Sequence, residues 1–290
     1  MDGSWTLQTS WSSHVIHFLL YVPVLGVAPA HMANLIRSPK SGSNWTRNDL
    51  RAYNIVVVPE TVATFFGNAN LPPSTINPAI FAHAVYPAAG LPKDECLFFD
   101  FMEEAMMMPP GEETAVNDFV AHLLGLLGYD EPDRYIRTRK DIRLFICSAN
   151  TCAKTDVCVI SRTSRFPLLL VQEDKQSLEG KDPEPQLIAM AIAAFQSCNH
   201  RLSTAGLPTL NDAVIPGITM VGTAPTFYKV YITTALVYAV ETGEYPAQAT
   251  TVHKLIPPVQ YPCDLQRHGM RPLSNRAIIL SCFEAFKQFL

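Results

Sequence analysis

The chain has 290 residues, 48% apolar and 17% charged, with 22 Lys and Arg against 26 Asp and Glu and a formal net charge of −4. High apolar content with low net charge excludes whole-chain disorder, and 14 glycines without a three-residue period among 23 scattered prolines exclude collagen-like and coiled-coil architectures. The slight acidity excludes a globally basic nucleic-acid glove, so any nucleic-acid contact must be a local patch.

At about 150 residues per domain the length allows one large domain or two small ones, with a core that needs no metal or disulfide staple. Residues 15–30 (VIHFLLYVPVLGVAPA) form an apolar run ending in Ala-Pro-Ala. Asp2 precedes it where a secretory signal carries Lys or Arg, and His17 and Pro23 interrupt it, so it reads as a buried helix or strand. It is also too short and broken to span a membrane. Residues 54–59 (NIVVVP) read as a short buried strand and 60–66 as a helical turn. A proline-rich loop follows over 67–93, then a short helix over 94–110 whose methionines, Met102 and Met106 to Met108, are core fillers.

The best-patterned half starts at Pro109. Residues 112–128 carry apolar positions at 116, 119, 120, 123, 124 and 127, the spacing of an amphipathic helix with an acidic start. Residues 133–143 (DRYIRTRKDIR) are the most basic segment. Residues 144–148, a turn over 149–155, and 156–161 read as a β-hairpin, and 166–171 as a buried strand running into Gln172-Glu173-Asp174-Lys175. An alanine-rich helix over 184–198 follows, then strands at 218–221 and 226–232 that lead into an apolar, helix-compatible stretch. The chain to about 272 is proline-rich and irregular, and 274–290 closes it as an amphipathic helix. Helix, hairpin, strand, helix and strand in succession make a mixed α/β core. The expected organisation is an irregular N-terminal region over 1–108, the core over 109–240 and a C-terminal extension over 241–290.

Seven cysteines, Cys96, Cys147, Cys152, Cys158, Cys198, Cys263 and Cys282, contain no CxxC pair, and the eight histidines show neither HxH nor HxxxH spacing. A disulfide framework and a cysteine- or histidine-built zinc site are therefore not expected. Reduced thiols point to an intracellular location, cytoplasmic or nuclear. No GxxxxGK[ST] and no GxGxxG occurs, which removes nucleoside-triphosphate and dinucleotide folds.

Acidic residues sit instead at the expected strand ends. Asp156 opens the second hairpin strand, and Glu173 and Lys175, two apart, share a face at the end of the next. Two carboxylates there make a hard oxygen site suited to Mg²⁺ or Mn²⁺. A nearby lysine can orient water or neutralise growing negative charge. Each residue also has a plainer explanation: Asp156 as a turn acid, Glu173 with Lys175 as an edge-strand ion pair, and the basic segment as a solvated connector.

These residues resemble the PD-(D/E)XK nuclease superfamily, with the restriction-endonuclease-like fold: Asp156, then Glu173-Asp174-Lys175 as the ExK element, across about residues 110–235. Glu113, with Glu112 as competitor, matches the helix-borne acid of that superfamily, and Gln186 matches the QxxxY element of one branch, with Met190 where Tyr is usual. Residues 215–228 (IPGITMVGTAPTFY) are similar to a stretch in uncharacterised fungal proteins of this fold. The resemblance implies a mixed central sheet flanked by helices, with N- and C-terminal elaborations. It implies a Mg²⁺- or Mn²⁺-dependent hydrolase cutting phosphodiesters of DNA or RNA. Asp156, Glu173, the Asp174 backbone carbonyl and Glu113 would hold the metal, Lys175 the water, and Gln186 would orient Lys175 or a phosphate. Arg134, Arg137, Arg139, Lys140 and Arg143 would track the nucleic-acid backbone. No membrane partner is expected, and a homodimer is compatible with the sequence. A catalytically inactive interaction or regulatory module of the same fold is the alternative, followed by a soluble defence-type binding protein.

Overall fold

The computed structural model describes residues 35–84, 90–107, 114–173 and 182–290. In chain order these form α1 (Arg47–Ala52), β1 (Ile55–Pro59), α2 (Val62–Phe66), α3 (Ala79–Ala82), α4 (Lys93–Met107), α5 (Ala115–Leu126), β2 (Arg134–Ile146), β3 (Ala149–Ser161), β4 (Pro167–Glu173) and α6 (Pro183–Thr204). They continue with β5 (Asp212–Val221), β6 (Ala224–Thr233), α7 (Thr234–Thr242), β7 (Thr250–Leu255), α8 (Leu265–His268) and α9 (Leu273–Phe286). The apolar run at 15–30 and residues Glu112, Glu113, Asp174 and Lys175 lie outside the described residues.

All seven strands join one sheet in the order β1-β7-β6-β5-β4-β3-β2. The β1–β7 and β4–β5 pairs are parallel and the remaining neighbours antiparallel. Strand alternation sends Val157, Val159, Leu169 and Val171 into one apolar cluster with α4, α5 and α9, and Cys158, Ile160 and Leu170 into a second with α6. Helices thus cover both faces, and the chain is an α/β protein with a seven-stranded mixed sheet.

Helix α6 explains the second face. Asp182 caps it, its side chain accepting from the Glu184 N–H at 3.1 Å, and Pro183 fits the first turn, where no donor is needed. Every residue from Leu187 to Phe195 is buried. A helix apolar all round belongs in a core. Its close seat on the sheet needs Gly217 in β5, where a Cβ would fall 2.9 Å from Leu187 Cδ2.

Three expectations change. The hairpin turn falls at Cys147-Ser148, not over 149–155, and both residues take positive φ, 47° and 60°. Non-glycine residues tolerate that backbone because helix α7 holds the turn: Cys147 N–H donates to Val240 O and Ser148 N–H to Glu241 O. The basic segment is strand β2 itself, not a connector before the sheet. The stretch expected to be irregular contains β7, which links β1 to β6.

One buried cation organises the first cluster. Arg276 in α9 is 0% exposed, stacked near Phe98 and Phe99 with its guanidinium 5.6 and 5.3 Å from their ring centres. It donates to five main-chain carbonyls, those of Ile80, His83, Ala84, Met270 and Arg271. Burial lowers its pKa to about 10. Among the described residues no helix is long and apolar enough to cross a membrane, and none of the seven cysteines forms a disulfide.

Candidate functional site

The paired strands β2 and β3 change face at one point. In β3, Val157 and Val159 enter the first cluster while Ala153, of the same parity, enters the second. The register passes from Thr138 opposite Val157 to Lys140 opposite Thr155, skipping Arg139 and Asp156, and Arg139 takes φ 49°. Asp156 is therefore released from its own ladder. Its Oδ2 accepts the Glu173 main-chain N–H at 2.9 Å and the Gln172 side-chain amide at 2.7 Å. The Thr155 hydroxyl donates to the carbonyls of Val157 and Val171, 2.7 and 3.1 Å away. These contacts tie the middle of β3 to the end of β4, just beyond the last pair of their ladder, Val157 and Val171. Asp156 thus lies inside a strand that starts at Ala149 and does not open it as expected, because the hairpin turn falls earlier, at Cys147-Ser148.

Asp156 and Glu173 are thus brought together, but through the Glu173 main chain. Parallel register sets Glu173 beside Met220 and Gln172 beside Thr219, so the Glu173 side chain shares the face of the first cluster and Gln172 that of α6. Glu173 is 3% exposed. Gln186 lies half-buried in the first turn of α6. The other expected members, Glu113, Asp174 and Lys175, are outside the described residues.

The N-terminus of α6 carries a second polar group that the sequence did not announce. Glu184 Oε2 accepts from Lys254 Nζ in β7 at 2.7 Å and from the Tyr228 hydroxyl in β6 at 3.0 Å. Tyr228 and Lys254 are register partners and so project on one face. Burial, then the Glu184 charge, push the Tyr228 pKa well above its ordinary value, so the phenol stays a proton donor. Asp182 in turn holds Arg47 at 2.6 Å, a hydrogen bond that raises the arginine's pKa. A lone Lys254 or Glu184 in sequence gives no signal of such pairing, because their contact spans 70 positions.

The five expected nucleic-acid residues lie on β2, the edge strand. Arg137, Arg139 and Arg143 are exposed; Arg134 and Lys140 are half-buried. Arg143 Nε donates to Asn150 Oδ1 at 2.8 Å, and Arg134 stands 3.9 Å from Asp133. Two further cations join them: Arg162 and Arg165 lie 5.3 and 5.9 Å from the Tyr135 ring centre. The positive strip thus extends to the β3–β4 turn.

For Mg²⁺ or Mn²⁺, Asp156 and Glu173 fit in kind, as carboxylates adjoining where the β3–β4 ladder stops. Among the described residues no group of three Asp, Glu, His or Cys side chains is placed to hold a metal. The expected remainder of the donor set, Glu113 and the Asp174 carbonyl, belongs to segments outside them. No protein-family model matches the chain, and comparison with curated proteins gives no match either.

Proposed function

We propose that the chain is a metal-dependent phosphodiesterase of the restriction-endonuclease-like fold, acting on DNA or RNA where the β3–β4 ladder stops. The observation that carries this reading is the meeting of Asp156 and Glu173, 17 positions apart, at an O···N distance of 2.9 Å. The succession α5, antiparallel β2-β3-β4, α6, then β5 parallel to β4 agrees with the core that the sequence resemblance implies.

Each residue has a task set by its position. Asp156 is held in place by two donors on Oδ2. Glu173 is desolvated, which strengthens its attraction for a divalent cation. A bound Mg²⁺ or Mn²⁺ would supply Lewis acidity and a more acidic water. Lys175, two positions beyond Glu173, would position that water, and Gln186 would bind a phosphate oxygen or Lys175. The strip from Arg134 to Arg143 would carry the polynucleotide backbone, giving binding that weakens with salt.

The test incubates the full chain with single- and double-stranded DNA and RNA under Mg²⁺, Mn²⁺ or EDTA. Metal-dependent cutting is expected, lost in Asp156→Asn and Lys175→Ala while the thermal transition stays in place. Asn is chosen because its carbonyl can still accept the Glu173 N–H. Cutting that survives both substitutions, or no cutting of any substrate, overturns the reading. One observation favours a non-catalytic interaction module instead: the two donors on Asp156 Oδ2 also suit a strand latch that performs no chemistry. That alternative predicts no cutting, salt-sensitive retention on nucleic acid, and loss of stability in Asp156→Ala.

A further inference from the structure

A cleft of about 390 Å³ opens between the β3–β4 turn and the C-terminal part of α6. Its lining includes two cationic residues, Arg165 and Arg201, and the polar residues Thr163, Ser164, Ser197 and Cys198, and it contains no Asp or Glu. Ser164 Oγ already accepts the Phe166 N–H at 3.2 Å, so its hydroxyl hydrogen is what it can offer a ligand.

Main-chain acceptors at the helix end beside this cleft are already taken. At the end of α6, the carbonyls of Arg201, Leu202 and Ser203 take N–H groups from Ala205, Gly206 and Leu207 within 3.1 Å. This internal cap uses the negative end of the helix, which would otherwise repel an anion. Arg165 is fixed from two sides: its N–H donates to Ser161 O at 2.9 Å and its guanidinium donates to the Tyr135 hydroxyl at 3.3 Å. Apart from the Cys198 thiol, the remaining side chains of the lining are hydrocarbon, notably Phe166, Leu202 and Leu207, the last 54% exposed. An apolar pocket with a few convergent polar groups is the usual form of a small-ligand site.

We propose that this cleft binds a small amphipathic acid, a carboxylate or phosphate monoester. Its anionic end meets Arg165 and Arg201, and its apolar body covers Phe166, Leu202 and Leu207. Guanidinium groups bind both kinds of anionic oxygen by charge-assisted hydrogen bonds, so the chemistry is shared and the head group is for experiment to sort. The site is independent of the phosphodiesterase reading.

The test titrates the full chain with octanoate, octyl phosphate and 1-octanol at millimolar concentration, by calorimetry and by the rate at which N-ethylmaleimide modifies Cys198, which lines the same cleft. At least one acid is expected to bind and to slow Cys198 modification, with 1-octanol about tenfold weaker or worse, since the charge-assisted bonds are lost. The tighter of the two acids identifies the head group. Arg165→Gln with Arg201→Gln should weaken the acid by about tenfold or more while leaving 1-octanol unchanged. Because Arg165 also touches Tyr135, Arg201→Gln alone serves if the double variant fails to fold. Equal binding of alcohol and acids, unchanged acid binding in the Arg201→Gln variant, or no binding of either acid overturns the proposal.

Discussion

Replacing Arg276 by Met keeps most of the apolar stem and removes the guanidinium, which isolates the energetic role of one fully buried cation. Five main-chain carbonyls lose their donor. Each buried acceptor left unpaired costs about 1–3 kcal/mol, so the gross loss is about 5–15 kcal/mol. Several kcal/mol return because the variant no longer desolvates a charge, a cost already visible in the lowered Arg276 pKa. Water reaching some of the carbonyls recovers more. The net destabilisation is therefore about 3–5 kcal/mol, which for a domain of this size lowers the thermal midpoint by about 6–20 °C. Arg276→Lys retains the charge but has three donors for five carbonyls, and should fall between wild type and Met. Circular dichroism thermal scans and urea midpoints measure both. A Met variant within about 1 kcal/mol of wild type would refute the reasoning, since the carbonyl network would then contribute no more than ordinary surface contacts.

Glu241 gives a pH signature. Burial raises its pKa, opposed by the Gln196 hydrogen bond, so the folded state holds its proton more tightly than the unfolded chain. Stability then falls as pH rises from the ordinary carboxylate range through that raised value. Glu241→Gln should have the higher thermal midpoint at neutral pH, with the difference shrinking in acid; a constant difference would contradict this. Lys254→Met should be strongly destabilising because it leaves Glu184 buried beside Tyr228 alone, whereas Lys254→Met with Glu184→Gln should recover much of the loss in a double-mutant cycle of unfolding free energies. Among the thiols, Cys263 is exposed, whereas burial pushes Cys158 up to about 11 and Cys282 up to about 12. Mass spectrometry after brief alkylation at neutral pH should find Cys263 modified and these two intact.

The elements legible in the sequence were those whose periodicity agrees with their surroundings. α5 shows its apolar stripe, and β4 is a short apolar run with both faces covered. β7 was hidden because four of its six residues, Thr250, Thr251, His253 and Lys254, are polar, so it shows no apolar run although β1 and β6 flank it on both sides. β2 looked like a connector because an edge strand can afford charges that a central strand cannot. The turn at Cys147-Ser148 lacks the usual Gly or Asn, and its stabilising carbonyls come from α7. At the candidate site, carboxylate spacing did suggest that Asp156 and Glu173 adjoin. It held no information on the Gln172 amide, on the step at Arg139, or on the Glu184–Lys254 pair, since each depends on tertiary neighbours.

The two borders of the sheet resist self-association by different means. A free strand border invites another copy to continue the ladder. Along β2, a second copy laid parallel and in register would set Arg137, Arg139 and Arg143 against their own equivalents, so like-charge repulsion guards that border against such stacking and salt relaxes the guard. Along β1, Val56 and Val58 are 48% and 38% exposed and no charge intervenes before Pro59. Among the described residues, shortness and a terminal proline are the defences there, which makes the five-residue valine border a place where crowding or partial unfolding would favour fibrous growth.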